Sequence, residues 1–175
     1  MSFGDGHLHP RQPLIDDIRG WHSMLDYETD EQHVLKLIPG ALIDLRSEYD
    51  AAAGARGETG TAADFLHYCL KLSEMKPTEK DMKRAPFLDP WCAVREHDRC
   101  ILLGVVTGHS KLREGARIYT SLMFQVHPDL GWARTWSRFY RLGAYSKCVL
   151  WELQYEGKIS GAYEILSLDQ PDEGA

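Results

Sequence analysis

The chain has 175 residues, of which 43% are hydrophobic and 26% are charged, and its formal net charge is −6 at pH 7. These values are ordinary for one globular domain and unlike those of a disordered protein. The acidic balance argues against general coating of nucleic acid, because phosphate binding needs an excess of Lys and Arg. No run of about 18 apolar residues occurs, and the first residues lack a basic stretch followed by an apolar one, so neither a membrane span nor a secretory signal is predicted.

The N-terminal part of the chain has helical patterning. Residues 1–12 are rich in Gly, His and Pro, and we expect them to be flexible. A helix should begin at Pro13, because the apolar residues that follow recur at spacings of three and four. A similar apolar stripe over 30–49 contains a Pro-Gly pair at 39–40, which predicts two short helices. The Ala- and Gly-rich stretch 51–60 is predicted to be a flexible connection.

Two further helix starts carry the signature of a capping box, in which two side chains satisfy free backbone N–H groups reciprocally. Thr61 with Asp64 precedes a segment with a clear apolar face. Thr78 with Asp81 precedes a short polar segment that Pro86 should end. Both pairs therefore predict where a helix begins.

The pattern changes to that of β-strands after Pro90. Residues 91–97 alternate loosely, and 97–98 can form a tight turn. The continuous apolar run within 99–107 is typical of a strand covered on both faces. Its Gly104 indicates a bulge or a close approach of another backbone.

The clearest alternation of apolar and polar residues covers 118–126 and predicts a half-buried strand. It follows a polar, glycine-bounded loop at 108–115. Pro and Gly within 127–131 predict a hairpin turn. The chain should then return as one strand over 132–142.

The C-terminal part has weaker signals. Residues 147–156 alternate and predict a strand, although a helix is the alternative. A turn at 157–158 should lead to a last strand within 163–168. The final residues, 169–175, form an acidic tail that we expect to be flexible.

These patterns predict an α+β fold, with a helical N-terminal half packed on an antiparallel β-meander of four to six strands. We expect a single domain over 13–168, helical over 13–88 and β-rich over 89–168.

The four cysteines, which have no Cys-x-x-Cys spacing, are predicted to be reduced and buried, as in a cytoplasmic protein; they are Cys69, Cys92, Cys100 and Cys148. A zinc site can be drawn through Cys92, His97, Cys100 and His109, but the spacing matches no compact zinc pattern. The common nucleophile, phosphate-loop and metalloprotease motifs are absent. We therefore expect neither a metal site nor a cofactor.

Positive charge is concentrated in the window 111–147, which has seven Lys or Arg residues against two acidic ones. In its centre, aromatic and Arg residues alternate along the predicted strand, so one face would present guanidinium groups and rings together. The candidate binding residues are Trp132, Arg134, Trp136, Arg138, Tyr140 and Arg141 of this strand, with His109, Lys111 and Arg113 of the preceding loop.

A set of residues within 104–143 carries a family resemblance; it comprises Gly108, His109, Gly115, Ile118, Thr120, Ser121, the run 131–135, Ser137, Arg138 and the run 140–143. The segment is similar to one in small uncharacterised bacterial proteins, chiefly alphaproteobacterial. That family has no assigned activity. The resemblance therefore implies a bacterial origin and a shared strand-turn-strand unit.

The leading hypothesis is a non-enzymatic binding or regulatory protein, of bacterial or mobile-element origin, that engages an acidic partner protein, because Trp, Tyr and Arg dominate interface hot spots. The alternative is single-stranded nucleic-acid binding, in which bases stack on the rings. A third hypothesis is a small enzyme with its site near His109. The opposing interpretation is that Trp132, Trp136 and Tyr140 pack beneath the helical half, with the Arg heads on the chain's own carboxylates.

Overall fold

A computed structural model of the chain describes residues 12–27, 31–58 and 60–168. Of the predicted flexible segment 1–12, residues 1–11 lie outside the described residues, as does the predicted acidic tail, 169–175; Gln12 is the first residue of a helix. Within the described ranges, six helices precede the first strand: α1 Gln12–Tyr27, α2 Glu31–Leu35, α3 Gly40–Ile43, α4 Arg46–Ala55, α5 Ala62–Glu74 and α6 Glu79–Arg84. The predicted helical N-terminal half is confirmed.

Seven strands and one more helix follow in the same described part of the chain: β1 Phe87–Glu96, β2 Arg99–Thr107, β3 Ala116–Tyr119, β4 Met123–His127, β5 Trp132–Thr135, β6 Phe139–Leu142, α7 Cys148–Tyr155 and β7 Glu164–Ile165. The hydrogen-bonded order is β3-β2-β1-β6-β5-β4, and β7 pairs with β1. The pair β1–β6 is parallel and the others are antiparallel. The α+β class is confirmed, with a mixed sheet in place of a purely antiparallel meander.

The connection between β3 and β4 makes the sheet curl strongly. These two strands stand at opposite ends of the strand order, which would separate them by about 24 Å in a flat sheet. Only residues 120–122 join them, and four Cα steps span at most about 15 Å. Thr120 lies against β2, with its N–H donating to Leu102 O at 2.9 Å and its Oγ1 accepting from Leu102 N at 3.0 Å.

The predicted single strand over 118–126 is therefore wrong, because the chain passes from one sheet edge to the other within it. The alternation is also interrupted inside β4, where the pairing register shifts between Met123 and Gln125. Met123 and Val126 belong to the inner core, whereas Phe124 packs on the helices.

Curling gives the sheet an inner face on which six strands bury their side chains in one core cluster. On the outer side, α5 packs on β4, where Phe65, Leu66 and Cys69 are in one buried cluster with Phe124. Both predicted capping boxes form at the starts of α5 and α6. The stretch 51–60 is corrected in part, since α4 continues to Ala55.

Strand β2 is covered on both faces, as predicted. Leu102 faces the inner core, whereas Ile101 and Leu103 pack with α7. Residues 147–156 are thus corrected from a strand to the helix α7, whose Val149 and Leu153 are one turn apart and buried against the sheet. A short apolar run suits either structure, and the uncovered outer face of β1 and β2 decides between them.

Gly104 lies where β1 bulges toward β2. The register shifts between Leu88 and Trp91, opposite Gly104. A Cβ added to Gly104 would lie 2.9 Å from Pro90 O and 3.1 Å from Leu88 Cδ2. The predicted close approach of backbone is confirmed.

Replacing Gly104 with Ala should lower the free energy of unfolding by about 2 kcal/mol, because the backbone of β1 must move away from the new methyl group. The matched control is Gly20→Ala in α1, where an added Cβ meets nothing within 4 Å and helix propensity favours Ala by about 1 kcal/mol. Urea denaturation measures the free energy of unfolding of both variants. Equal effects of the two variants would contradict the close approach at Gly104.

None of the four cysteines, all of which lie in the described ranges, forms a disulfide, and Cys69, Cys92 and Cys100 are buried as predicted. Burial raises the pKa of the Cys92 thiol to about 12, against a smaller lowering by a backbone hydrogen bond. Cys148 is exposed at the start of α7, so its predicted burial is wrong. Across residues 12–27, 31–58 and 60–168, no helix combines the length and apolar character needed to cross a bilayer.

Candidate functional site

The strand predicted over 132–142 is instead a tight hairpin. Strands β5 and β6 pair through Trp132 with Arg141 and Arg134 with Phe139, and Thr135 N donates to Arg138 O at 2.9 Å. A two-residue loop at 136–137 therefore reverses the chain.

This reversal divides the predicted Arg and aromatic face between the two sides of the sheet. Residues directly opposite each other in an antiparallel pair share a face. In this register an even-numbered residue of β5 is opposite an odd-numbered residue of β6. Trp132 and Arg134 consequently face outward, whereas Tyr140 faces inward, opposite Ala133. The prediction of one continuous face is wrong.

On the outer side, Trp132 and Phe139 are buried with Ala85, and Met82 of α6 and Met75 pack against them. The Arg134 guanidinium lies over the Phe139 ring, with Cζ 4.9 Å from its centroid. Arg141 is exposed and lies over the Phe87 ring at 5.3 Å, with its Nε donating to Ala85 O at 3.1 Å. Arg134 and Arg141 therefore stack on Phe139 and Phe87. Neither ring is among the predicted binding residues, because the sequence predicted one strand over 132–142 and no hairpin.

Trp136 sits in the hairpin loop and reaches the helical half. Its Nε1 donates to Glu48 Oε2 at 2.7 Å. The centroid of its ring is 5.4 Å from that of Tyr68, 6.1 Å from Phe124 and 6.4 Å from Phe65. This indole is a packing group with one polar contact to α4.

The inner side of the hairpin carries Tyr140 and Arg138. Tyr140 is only 3% exposed, and burial raises the pKa of its phenol while the charge of Arg138 lowers it. Arg138 is the cross-strand neighbour of Thr135, which is fully buried, and Thr135 Oγ1 accepts from Arg138 N at 3.4 Å. The Nε atom of Arg138 is buried without a hydrogen-bond partner in the described chain.

The loop after β2 carries the other candidates, of which Lys111 and Arg113 are exposed. His109 is half-buried, and its Nδ1 accepts from Lys111 N at 3.0 Å. Burial, followed by the charges of Arg138 and Lys111, holds the pKa of His109 below its usual range. The ring is therefore neutral at pH 7, with its proton on Nε2.

Strand register brings His109 and Arg138 to one end of the sheet. Phe87 of β1 pairs with Thr107 on one side and with Arg141 on the other. Because β2 runs antiparallel to β1 and β6 runs parallel to it, residues just after Thr107 and just before Arg141 continue past the same end of β1. We call this the basic end of the sheet; its predicted candidates are His109, Lys111, Arg113, Arg138 and Arg141.

The arginines of the hairpin have few partners. Among the described residues, none of Arg134, Arg138 and Arg141 forms an ion pair with a carboxylate, although other surface arginines do, such as Arg117 with Glu152 at 3.2 Å. The Nε atoms of Arg134 and Arg138 are both buried and form no hydrogen bond with any part of the chain that the structure describes. The opposing interpretation of the sequence therefore holds only in part: Trp132 and Trp136 pack against helices, whereas Tyr140 is buried inside the sheet, and these arginines do not pair with the chain's own described carboxylates.

Within the described ranges, no group of three or more His, Cys, Asp or Glu side chains could hold a metal ion.

A family of unknown function, DUF6634, matches residues 62–163, which is more than half of the chain. The chain belongs to this family. The DUF6634 match begins at the first residue of α5 and extends well beyond 104–143 on both sides, so it contains the hairpin and the basic end of the sheet. No curated protein and no solved structure is similar to the chain at a significant level.

Proposed function

We propose that this chain is a non-enzymatic binding protein, of bacterial or mobile-element origin, that engages an acidic partner protein in a regulatory role in the cytoplasm. The main support is the positive charge at the basic end of the sheet that lacks a counter-ion in the described chain. The Arg138 guanidinium has no protein partner there, and Arg141 meets a ring and a carbonyl in place of a carboxylate. In a chain of net charge −6, a local excess of this kind favours an acidic partner.

The burial of the aromatic rings favours a protein over single-stranded nucleic acid. Base stacking needs open ring faces. Trp132 is 7% exposed and Tyr140 is 3% exposed, and the Trp136 ring is packed among other aromatic side chains. The hairpin then offers guanidinium groups without the stacking platform that the nucleic-acid hypothesis requires.

A labelled octa-glutamate peptide is the simplest probe of this surface. We expect it to bind at about 50 mM NaCl, where ion pairs are weakly screened, as measured by fluorescence anisotropy. The triple variant K111E/R113E/R141E, which reverses three exposed charges of the basic end, should weaken binding at least about tenfold, because each reversal replaces attraction with repulsion.

The matched control is K36E/K71E/R95E, which makes the same change in net charge at three exposed residues away from the loop and hairpin. Equal loss of binding in both triple variants would mean that the peptide responds to net charge alone and would contradict the proposal. So would an absence of peptide binding to the unmodified protein. Tighter binding of a labelled oligothymidine of equal charge would favour the nucleic-acid alternative.

A further inference from the structure

We propose that Arg138, Tyr140 and His109 form a seat for one oxyanion group, a carboxylate or a phosphate, at the basic end of the sheet. This inference deepens the proposed function and rests on it in one respect, since it names the group of an acidic partner that would be held.

Arg138 is held in place by its backbone, but its guanidinium has no partner in the described chain. Its backbone is fixed at the hairpin loop by hydrogen bonds of its N and O atoms with Thr135. Its guanidinium forms no hydrogen bond, ion pair or ring contact within the described residues, although its Nε is buried. Leaving a charged donor partly desolvated and unpaired is unfavourable, and a bound anion would remove that penalty.

The hydroxyl of Tyr140 is a further donor near Arg138. Tyr140 is only 3% exposed as a whole residue, yet its hydroxyl is not one of the buried side-chain atoms without a partner, so the oxygen reaches solvent. Within the described part of the chain this hydroxyl forms no hydrogen bond, and it can therefore donate to a ligand. Tyr140 follows Arg138 by two residues, the spacing that places two side chains on the same face of a strand.

The tautomer of His109 provides another donor at this end of the sheet. Its Nδ1 already accepts a hydrogen bond from Lys111 N, so the neutral ring carries its proton on Nε2. That Nε2–H has no acceptor among the residues described. The nearby carboxylate of Glu114 accepts from Gly108 N at 2.7 Å and thus has a partner of its own.

The strand register carries His109 and Arg138 past the same end of β1, and Tyr140 follows Arg138 on the same face of its strand. The charge of Arg138 acts on both His109 and Tyr140, so its guanidinium lies within electrostatic range of each. Arg138, Tyr140 and His109 all carry hydrogen-bond donors, and the binding of an oxyanion requires none of them to accept a hydrogen bond. A guanidinium with two neutral donors matches the planar or tetrahedral oxygens of a carboxylate or phosphate.

The Nε–Hε signals of arginine in ¹H–¹⁵N spectra give a direct test with the full chain. The Arg138 signal is identified by its absence in Arg138→Lys. Sodium acetate and sodium phosphate are titrated separately at constant ionic strength, with NaCl as the reference. We expect a saturable shift of the Arg138 signal with at least one of the two oxyanions and none with chloride, and the two titrations distinguish a carboxylate from a phosphate.

Tyr140→Phe tests the seat without disturbing the charge. Because the hydroxyl has no partner to lose, the thermal midpoint should not fall, whereas oxyanion affinity should weaken roughly tenfold through the loss of one hydrogen bond to a charged group. Tyr145→Phe is the matched control, since Tyr145 packs on Trp91 at a ring distance of 5.2 Å, and it should leave the affinity unchanged.

The outcomes separate the two proposals. A normal oxyanion affinity in Tyr140→Phe, or no saturable shift of Arg138, overturns the seat even if octa-glutamate binds and K111E/R113E/R141E abolishes that binding. Saturable oxyanion binding that depends on Tyr140, with no binding of octa-glutamate, keeps the seat and overturns the acidic protein partner.

Discussion

Trp136→Ala is expected to lower the free energy of unfolding by about 3 kcal/mol, the lower end of the range for deleting a packed Trp side chain. The indole fills the space between α5 and β4, with Phe65, Tyr68 and Phe124 around it. Its removal leaves a cavity between the helical half and the sheet. Urea or guanidinium denaturation, followed by the fluorescence of the other tryptophans, measures the change.

Two further variants separate packing from the polar contact of Trp136. Trp136→Phe keeps a ring but removes the hydrogen bond to Glu48, and we expect a loss of about 1 to 2 kcal/mol. Trp151→Ala is the matched control, because Trp151 is 58% exposed on α7 and should change stability by less than about 1 kcal/mol. If Trp136→Ala were no more destabilising than Trp151→Ala, the indole would not join the two halves as described.

Gln125→Met should also lower the free energy of unfolding by about 3 kcal/mol, although the volume of the side chain hardly changes. Gln125 is 4% exposed, and its Nε2 donates to Leu72 O and to Met75 O, both at 2.8 Å. These carbonyls belong to the last turn of α5 and the residue after it, where a helix leaves acceptors unpaired. A thioether cannot donate, so one buried and one partly buried acceptor lose their partner, at about 1 to 3 kcal/mol for a buried one.

Gln154→Met provides a control with the same chemistry in a more open place. Its Nε2 also donates to two backbone carbonyls, Ser160 O at 3.1 Å and Tyr163 O at 3.0 Å. Gln154 is only half-buried, so water can replace its donor. We expect a loss below about 1 kcal/mol, and chemical denaturation compares the two variants directly. Equal losses would show that burial of the α5 terminus does not set the cost.

Some of this fold follows from local sequence. The capping boxes at Thr61 and Thr78 each depend on residues three apart, and both form. The turn at 127–131 uses a glycine at φ 75°, and Gly131 N donates to His127 O at 2.9 Å. The continuous apolar pattern of β2 predicts that both faces of the strand are covered, and both are buried. Interactions within about four residues decide the capping boxes and the turn, and the pattern of β2 lies within one short segment, so the sequence by itself predicts all of them.

The arrangement of the candidate binding residues on the hairpin depends on contacts between residues that are distant in sequence. The loop at 136–137 contains no Gly, Pro, Asn or Asp, and its one turn-favouring residue, Ser137, is a weak signal, so alternation alone predicted an uninterrupted strand. Its reversal is supported by Trp136, which bonds Glu48 at a separation of 88 residues, and by Ser121 Oγ, which lies 3.1 Å from Ser137 Oγ. The sequence by itself determined which residues carry the charge and the rings. Only the tertiary structure decided their faces, because a two-residue reversal exchanges odd and even positions, burying Tyr140 and leaving Arg138 without a partner in the described chain.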